Sequence, residues 1–339
     1  MGLVGAGRIS SRHIEALAEL PGLAELTAVA ELKAERLSAV NERGVSHYSD
    51  VSEMMEAHSD LDLVSVLTES GNHKDVALQL LRWRTPVLIE KPLTLSVVDA
   101  KELTGKFAEV GVPLFVVKQN RLNPPVAELL LDIKAGRLGK IMLASASVLW
   151  SRSADYYFAD EWRLSREMDG GVVWNQASHY VDLLVQVLGG VESVFAYGDN
   201  FLSPAQTEDT VFAVMRSSSG AMGSLQATTT VRPANYEGSL TVSGDLGLVK
   251  VGGHALNEVI ASTIGRADAP GLQKEKIDSN QVYGKSHARL YEDIFSDLNG
   301  GPRSSFRAIE GLTVVAVIEA IHLSIAEKRE VYLSEVLGD

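Results

Sequence analysis

Six residues near the start, Gly5-Ala6-Gly7-Arg8-Ile9-Ser10, constrain this chain more than any others. They read G-x-G-x-x-S between an apolar stretch and a helical pattern. In that setting the first glycine makes a tight turn and the second lets the backbone approach a pyrophosphate. A small last residue lets helix and strand pack closely. The helix N-terminus then offers free N–H groups and a partial positive charge to phosphate. As a bare string the motif is weak, and many matches are only turns. Its place between strand and helix, at the head of an alternating pattern, makes it a dinucleotide fingerprint. Cofactor contacts are therefore expected at Gly5, Gly7, Arg8 and Ile9. Only Gly2, Leu3 and Val4 separate Met1 from the turn, against the ~5–6 residues of a usual strand. Either the first strand is stunted or the gene reading begins a few residues late, and the second is the expectation.

Up to about residue 120, strand-like and helix-like segments alternate. Strands are expected at 26–30, 61–67, 86–89 and 113–117, and helices at 10–20, 34–43, 72–83 and 96–110. Asp50 with Glu53 forms a capping-box start for one more helix. Such alternation implies parallel strands joined by right-handed crossovers. Past Arg121 the rhythm changes. Pro124-Pro125 starts a helix to 135, then come a strand at 140–150 and a helix at 172–188. Strands follow one another at 193–198, 209–216, 221–230, 238–243 and 248–251, and helices at 286–298 and 305–327 close the chain. The fold class is thus α/β. An N-terminal Rossmann doubly wound parallel sheet occupies residues 1–120. A C-terminal α+β domain with a large, mostly antiparallel open sheet occupies residues 121–339.

The 339 residues suffice for two domains, and 45% hydrophobic with 22% charged residues is an ordinary globular balance. A net charge of −13 without a basic run argues against nucleic acid as a partner. The absence of cysteine excludes disulfides, thiolate metal sites and cysteine catalysis, and suits the cytoplasm. No apolar run reaches the ~18 residues of a membrane helix. The glycine turn begins too early to follow a signal peptide. A cytoplasmic protein with no membrane partner is expected.

Glu31 ends the second strand, where an acidic residue can hold ribose hydroxyls and repel a 2′-phosphate, favouring NAD over NADP. Its plain alternative is a solvated surface side chain, and Lys33 and Arg36 stand close by. Glu90-Lys91-Pro92 follows the strand at 86–89, and ligands bind beyond the carboxyl ends of such strands. Lys91 can stabilise a developing alkoxide there; in isolation it is a surface lysine. In the helix at 172–188, Asn175, His179, Asp182 and Gln186 share one stripe, and Val173, Ala177, Tyr180, Leu184 and Leu188 lie opposite. Asp169-Gly170-Gly171 leads in, with glycines that let a ligand come close. His179 suits general-base work, since its pKa lies near neutrality. The competing reading is an amphipathic helix with its polar side in water. No metal-site spacing is present, and no metal is expected. Tyr156-Tyr157 and Trp162-Arg163 can stack on a sugar or base and clamp a phosphate or carboxylate, or else pack as a satellite core. Lys118-Gln119-Asn120-Arg121 sits at another ligand-facing strand end, or is simply a polar strand end.

With these residues assembled, the chain resembles the Gfo/Idh/MocA family of sugar and polyol oxidoreductases, from Gly2 to about Leu333. The motifs are G-A-G-R-I-S at 5–10, T-E-S-G-N-H at 68–73, E-K-P at 90–92 and V-K-Q-N-R-x-N-P-P at 117–125. Y-Y-x₄-W-R at 156–163, D-G-G-V-V-W-N-Q-A-S-H at 169–179 and R-P-A-N-Y-E-G-S at 232–239 complete them. Within the family the chain looks like bacterial dehydrogenases that oxidise UDP-N-acetylglucosamine or its uronic acid at C3, in cell-surface polysaccharide pathways. The resemblance implies that Lys91 and His179 act at the reacting hydroxyl, with Asn175 beside them. It implies that Gly5, Gly7, Glu31, Thr68, His73, Glu90 and Gln119 line the cofactor, and that Trp162 and Arg163 reach its nicotinamide end. Lys91, Lys118, Arg121, Tyr156, Asn175, Gln176 and His179 are the expected substrate contacts. A small sugar or sugar nucleotide is the expected partner, with a homodimer or homotetramer built through the C-terminal sheet.

There are departures. Asn175 stands where many members carry Asp; asparagine orients substrate or His179 but relays no proton. Thr68-Glu69-Ser70 replaces the usual T-P-N, and the stretch at 302–309 lacks the usual Asp-Gly. The rival readings are a polyol or inositol dehydrogenase, a keto-sugar reductase, and a non-catalytic NAD-binding regulator. Lys91 and His179 argue against the last.

Overall fold

The computed structural model describes residues 1–37, 40, 44–253, 255–264 and 286–338. It forms two compact units: Met1–Lys118 with His287–Leu312, and Gln119–Ser286 with Thr313–Asp339.

The first unit is built on six parallel strands: β1 (Gly2–Val4), β2 (Ala28–Ala30), β3 (Ser46–Tyr48), β4 (Val64–Val66), β5 (Val87–Ile89) and β6 (Leu114–Val116). Their order is β3-β2-β1-β4-β5-β6, so the winding reverses between β1 and β4. That reversal leaves a crevice at the carboxyl ends of the strands. All but β3 are wholly buried, which is why they are mostly Val, Ile, Leu and Ala. β1 is short but complete in its pairing, with Gly2 against Ala28 on one side and Val64 on the other. The edge strand β3 was not expected, because Ser46-His47-Tyr48 is polar and only partly buried.

The helices of this unit are α1 (Ser10–Ala18), α2 (Ala34–Leu37), α3 (Val51–Ala57), α4 (His73–Leu80) and α5 (Val97–Glu109). The Asp50 cap is formed, its carboxylate accepting from Ser52 and Glu53 backbone N–H groups. Ser96 caps α5 in the same way. The helix expected at 34–43 is α2, and the remainder of that stretch, Val40 apart, lies outside the described residues.

The unit is not the contiguous 1–120 segment expected. Residues 287–312 return to it, and the backbone explains why. Val116 N–H donates to Phe306 O (2.8 Å) and Ala308 N–H to Leu114 O (2.8 Å), which covers the outer edge of β6. Tyr291 and Phe306 are buried there to 0% and 1% exposure, so this segment supplies core as well as cover.

The second unit opens with α6 (Pro124–Lys134), β7 (Ile141–Leu149) and α7 (Ala154–Phe158). Two helices follow, α8 (Val172–Asn175) and α9 (Ser178–Leu188). Then come β8 (Ser193–Asp199), β9 (Thr210–Arg216), β10 (Met222–Thr228), β11 (Glu237–Gly244), β12 (Leu248–Gly252) and β13 (Glu258–Ser262). Helices α10 (Ser286–Leu298) and α11 (Ile309–Glu327), then β14 (Val331–Tyr332) and α12 (Leu333–Leu337), complete the chain. The eight-stranded sheet runs β13-β12-β11-β7-β10-β9-β8-β14 and is antiparallel except for β7 beside β10. β13 and β14 lie beyond the strands expected. α9 packs on one face of the sheet, and α11 lies against β8, where Ser324 Oγ takes the Ala196 N–H (2.9 Å).

α11 corrects the expectation about apolar runs. By length and composition alone it could cross a membrane, with a mean hydropathy of 1.8 over its most apolar window. Its Val315, Ala316, Val317, Ile318, Ala320 and Ile321 are instead buried, the pattern of a core helix. The other sheet face alternates the opposite way and leaves Tyr197, Phe212, Val214 and Met222 exposed. Beside them runs a polar ladder: Ser224 Oγ donates to Ser145 Oγ (2.9 Å) and Gln226 Nε2 to Ser147 Oγ (2.7 Å).

Candidate active site

The glycine turn follows β1 as expected. Gly5 has φ +99°, and a Cβ there would lie 2.8 Å from the Leu67 carbonyl oxygen, so only glycine fits. A Cβ on Gly7 would meet nothing within 4 Å, so that side is open to a ligand. Ser10 Oγ donates to Gly7 O (2.7 Å) and closes the turn. Ile9 is half-buried and supplies no side-chain cap to α1, and Arg8 is exposed beside it.

Glu31 is not the solvated side chain of the plain alternative. It is 9% exposed, with Oε2 accepting from Ala6 N–H (2.7 Å) and Oε1 from Lys33 N–H (2.9 Å). A carboxylate is thereby fixed at the rim of the turn. The open face of Gly7, the uncapped helix start and this carboxylate fit a dinucleotide without a 2′-phosphate.

β5 delivers Glu90, Lys91 and Pro92 to the same end of the sheet, and the Lys91–Pro92 peptide is cis. His73 ties two of the loops together. Its Nδ1 meets Pro92 O at 2.7 Å and its Nε2 meets Thr68 O at 3.1 Å. Burial pushes its pKa below the ordinary value, against those carbonyls and Glu90. His73 was expected to line the cofactor, and here its ring holds loop to loop, with Thr68 as one anchor.

Behind Lys91 lies a buried chain of polar groups that sequence reading missed. Ser65 Oγ and Tyr291 Oη are 3.0 Å apart, Tyr291 Oη lies 2.6 Å from His13 Nδ1, and His13 Nε2 lies 3.0 Å from Glu90 Oε1. His287 Nε2 stands 3.8 Å from the same Glu90 oxygen, while Glu90 Oε2 accepts the Lys91 backbone N–H (2.9 Å). A neutral His13 satisfies every step, donating at Nε2 and accepting from Tyr291 at Nδ1. Burial alone would raise the Glu90 pKa, but the hydrogen bond from His13 and the nearness of His287 outweigh it and hold it well below the carboxylate range. Burial lowers the His13 pKa and raises that of Tyr291. An anionic Glu90 thus anchors the backbone that carries Lys91. Lys118, expected on substrate, is 4% exposed and gives its Nζ to Glu310 O (2.7 Å).

In the second unit the expected helix at 172–188 is two helices. Ala177 N–H reaches back five residues to Val172 O (2.9 Å), and α9 starts afresh at Ser178. The polar stripe is therefore not one continuous face, and it does not look into water. His179 is 7% and Asp182 4% exposed. Gln119 Nε2 donates to His179 Nε2 (3.3 Å). Arg121 grips Asp182 with two bonds, Nε to Oδ2 at 2.7 Å and Nη2 to Oδ1 at 2.5 Å. Arg121, expected on substrate, thus braces α9 through Asp182.

Asn175 Nδ2 donates to Asp169 Oδ1, and Asp169 Oδ2 takes the Gly171 N–H (3.2 Å). The two glycines there were expected to admit a ligand. They admit the protein itself: a Cβ on Gly170 would strike Trp174, and one on Gly171 the Glu208 carboxylate. Glu208 in turn meets His322 Nε2 (3.1 Å), whose Nδ1 accepts from Trp174 Nε1 (3.0 Å). Gln176 is buried and gives its Nε2 to Tyr156 Oη (3.3 Å). Arg163 stacks on both neighbours expected with it, 4.5 Å from the Tyr156 ring centre and 5.1 Å from that of Trp162. Tyr157 is core, its hydroxyl on Thr229 Oγ1 at 2.9 Å.

Residues 1–118 match the profile of the GFO/IDH/MocA oxidoreductase family, NAD-binding Rossmann fold, and residues 131–250 match the GFO/IDH/MocA C-terminal domain. Among solved structures, the WlbA dehydrogenase from Bordetella pertussis, in complex with NADH and UDP-GlcNAcA, is 35% identical with a TM-score of 0.87. That match covers 98% of this chain and 97% of the other. The WlbA dehydrogenase from Chromobacterium violaceum, with the same ligands, is 34% identical with a TM-score of 0.88, over 98% and 94% of the two chains. The myo-inositol 2-dehydrogenase of Thermotoga maritima is 26% identical, over 100% of this chain and 99% of its own.

Proposed function

We propose that this chain, which belongs to the GFO/IDH/MocA family of NAD-binding oxidoreductases, oxidises C3 of a UDP-linked N-acetylhexosamine or its uronic acid. The family is one of sugar and polyol dehydrogenases, and the open question is the substrate. The observation that carries the finer reading is end-to-end likeness, at 35% and 34% identity, to two dehydrogenases solved with UDP-GlcNAcA. Asn175, in place of the commoner Asp, supports it.

His179 takes the proton of the C3 hydroxyl. Gln119 donates to its Nε2, so that nitrogen carries a lone pair. The Lys91 ammonium stabilises the alkoxide as it forms, held by a backbone fixed to Glu90. Asn175, locked to Asp169, orients the sugar and transfers no proton. Gly5 to Ser10 would hold NAD, which would supply the hydride acceptor that the oxidation of C3 to a ketone needs. The reading also places the protein in the cytoplasm, in cell-surface polysaccharide synthesis. A second copy of the chain would pack on the exposed sheet face of Tyr197, Phe212, Val214 and Met222.

A polyol dehydrogenase is the second reading, favoured by the full-length match to myo-inositol 2-dehydrogenase. NADH formation measured across UDP-sugars, free sugars and inositols separates the two. Turnover of UDP-N-acetylhexosamine or its uronic acid is expected. Turnover confined to free sugars or inositols overturns the UDP-sugar reading.

A further inference from the structure

Two arginines of the second unit stack on aromatic rings near the ends of β7 and β10, and a third bonds to the backbone of one of them. The Arg152 guanidinium carbon lies 5.1 Å from the Trp150 ring centre and 5.2 Å from that of Tyr156. Arg163 lies 4.5 Å from the same Tyr156 ring. Arg232 donates from Nη2 to the Arg152 carbonyl (3.1 Å), and from Nη1 to Thr229 O (3.1 Å) and Val231 O (2.9 Å). Arg152 Nη1 donates to Ser151 O (2.7 Å) and Asn235 Oδ1 (3.1 Å). In a chain of net charge −13 this is a local concentration of positive charge.

The charge is incompletely answered. Asp160 pairs with Arg163 at 2.8 Å. Among the described residues, Arg152 and Arg232 have carbonyl and amide acceptors and no carboxylate. Arg152 Nε and Arg163 Nε are shut off from water and meet no acceptor among those residues. A buried cationic N–H without an acceptor is a recurrent mark of a ligand position. The cluster also touches the helix pair α8–α9 that carries His179. Gln176, three residues before His179, bonds the Tyr156 hydroxyl, and the Trp150 ring packs edge-on to Tyr180, one residue after it (centres 6.3 Å apart).

We propose that Arg152 and Arg163, held against Trp150 and Tyr156, form with Arg232 a diphosphate-binding subsite that selects a nucleoside-diphosphate sugar over a free one. The choice of ligand rests on the UDP-sugar reading above. A diphosphate supplies several anionic oxygens, and the planar guanidinium fork meets phosphate with paired hydrogen bonds. Stacking on the rings pre-orients the forks, so little freedom is lost on binding. A free sugar or polyol offers nothing to these charges.

The test is calorimetric titration of the full chain, saturated with NADH, with UDP alone. Wild type is expected to bind UDP, and binding should weaken with added salt. Arg152→Gln and Arg232→Gln should each weaken UDP by about tenfold or more, with Arg152→Lys intermediate. In turnover, the loss should fall on KM for the UDP-sugar more than on kcat. NADH affinity and melting temperature serve as folding controls, and if Arg232→Gln unfolds, Arg152→Gln carries the test. UDP binding that is absent in wild type, or equal in wild type and folded variants, overturns the subsite. If wild type binds UDP through these arginines but turns over only free sugars, the substrate reading falls and the subsite stands. If folded variants keep the wild-type KM for UDP-sugars, the subsite falls and the substrate reading stands.

Discussion

His179 shows how burial changes what a residue can do. Periodicity alone left its side of the helix facing solvent, yet the ring is enclosed and receives a hydrogen bond from Gln119. An imidazole whose Nε2 accepts from an amide can exchange that bond for one to a substrate hydroxyl. Replacing it with alanine should cost about 10²–10⁴-fold in kcat while NADH binding, followed by fluorescence, is retained. Intact turnover would remove it from the chemistry. Glu31 makes a second residue-scale prediction. With its carboxylate fixed against the Ala6 N–H, it opposes a 2′-phosphate, so Glu31→Ser should shift the kcat/KM ratio of NADP to NAD towards NADP. An unchanged ratio would mean that selection lies elsewhere. Both residues stand out in the sequence by their type and their place in the pattern. The bonds of Lys118 to Glu310 and of Arg121 to Asp182 were not legible, since those partners lie far away in sequence.

Elements carry the next level of cause. The strand ends and helix starts of the first unit were readable because glycine, proline and capping residues punctuate them. The break between α8 and α9 was not, since residues 172–188 contain no helix breaker. It arises where Ala177 bonds Val172 instead of Val173, a choice made by the packing around it. The chain from Ser65 through Tyr291 and His13 to Glu90 was equally hidden, because α1, β4, β5 and α10 each contribute one member. Tyr291→Phe removes the donor to His13 Nδ1 and should cost about 1–3 kcal/mol, read from denaturant unfolding. It should also lower kcat by loosening the Lys91 backbone. Acid should act on the same network. Buried His13 and His73 have pKa values below the usual ~6.5, so unfolded chains take up their protons first. The stability they give is complete above that value and lost as pH falls below it. Glu90 adds a later loss, below the ordinary carboxylate value. The melting temperature should therefore fall between about pH 7.5 and pH 5.5, and less steeply in a folded His73→Gln variant. An identical slope would remove His73 from the account.

For the whole molecule, the exposed sheet face is the feature with the clearest consequence. Tyr197 and Phe212 are 69% and 55% exposed on neighbouring strands, an unusual use of aromatic residues for a surface in water. If a second copy covers them, light scattering should report a homodimer or homotetramer, and Phe212→Lys with Val214→Lys should give a smaller species. A wild-type monomer would refute that assembly. Alternating patterns gave away two domains but not their membership, because nothing in residues 287–312 marks them as returning to the first.

That return has a consequence for how the protein is made. A ribosome releases the chain from its N-terminus at about 5–20 residues per second, and domains usually fold as they emerge. Here the first unit must wait for residues 287–312, which seal the edge of β6 and place Tyr291 against His13. The second waits for residues 313–339, which bring β14 to its sheet. The first unit is therefore incomplete until residue 312 has been made, long after its glycine turn, and the second until β14 has.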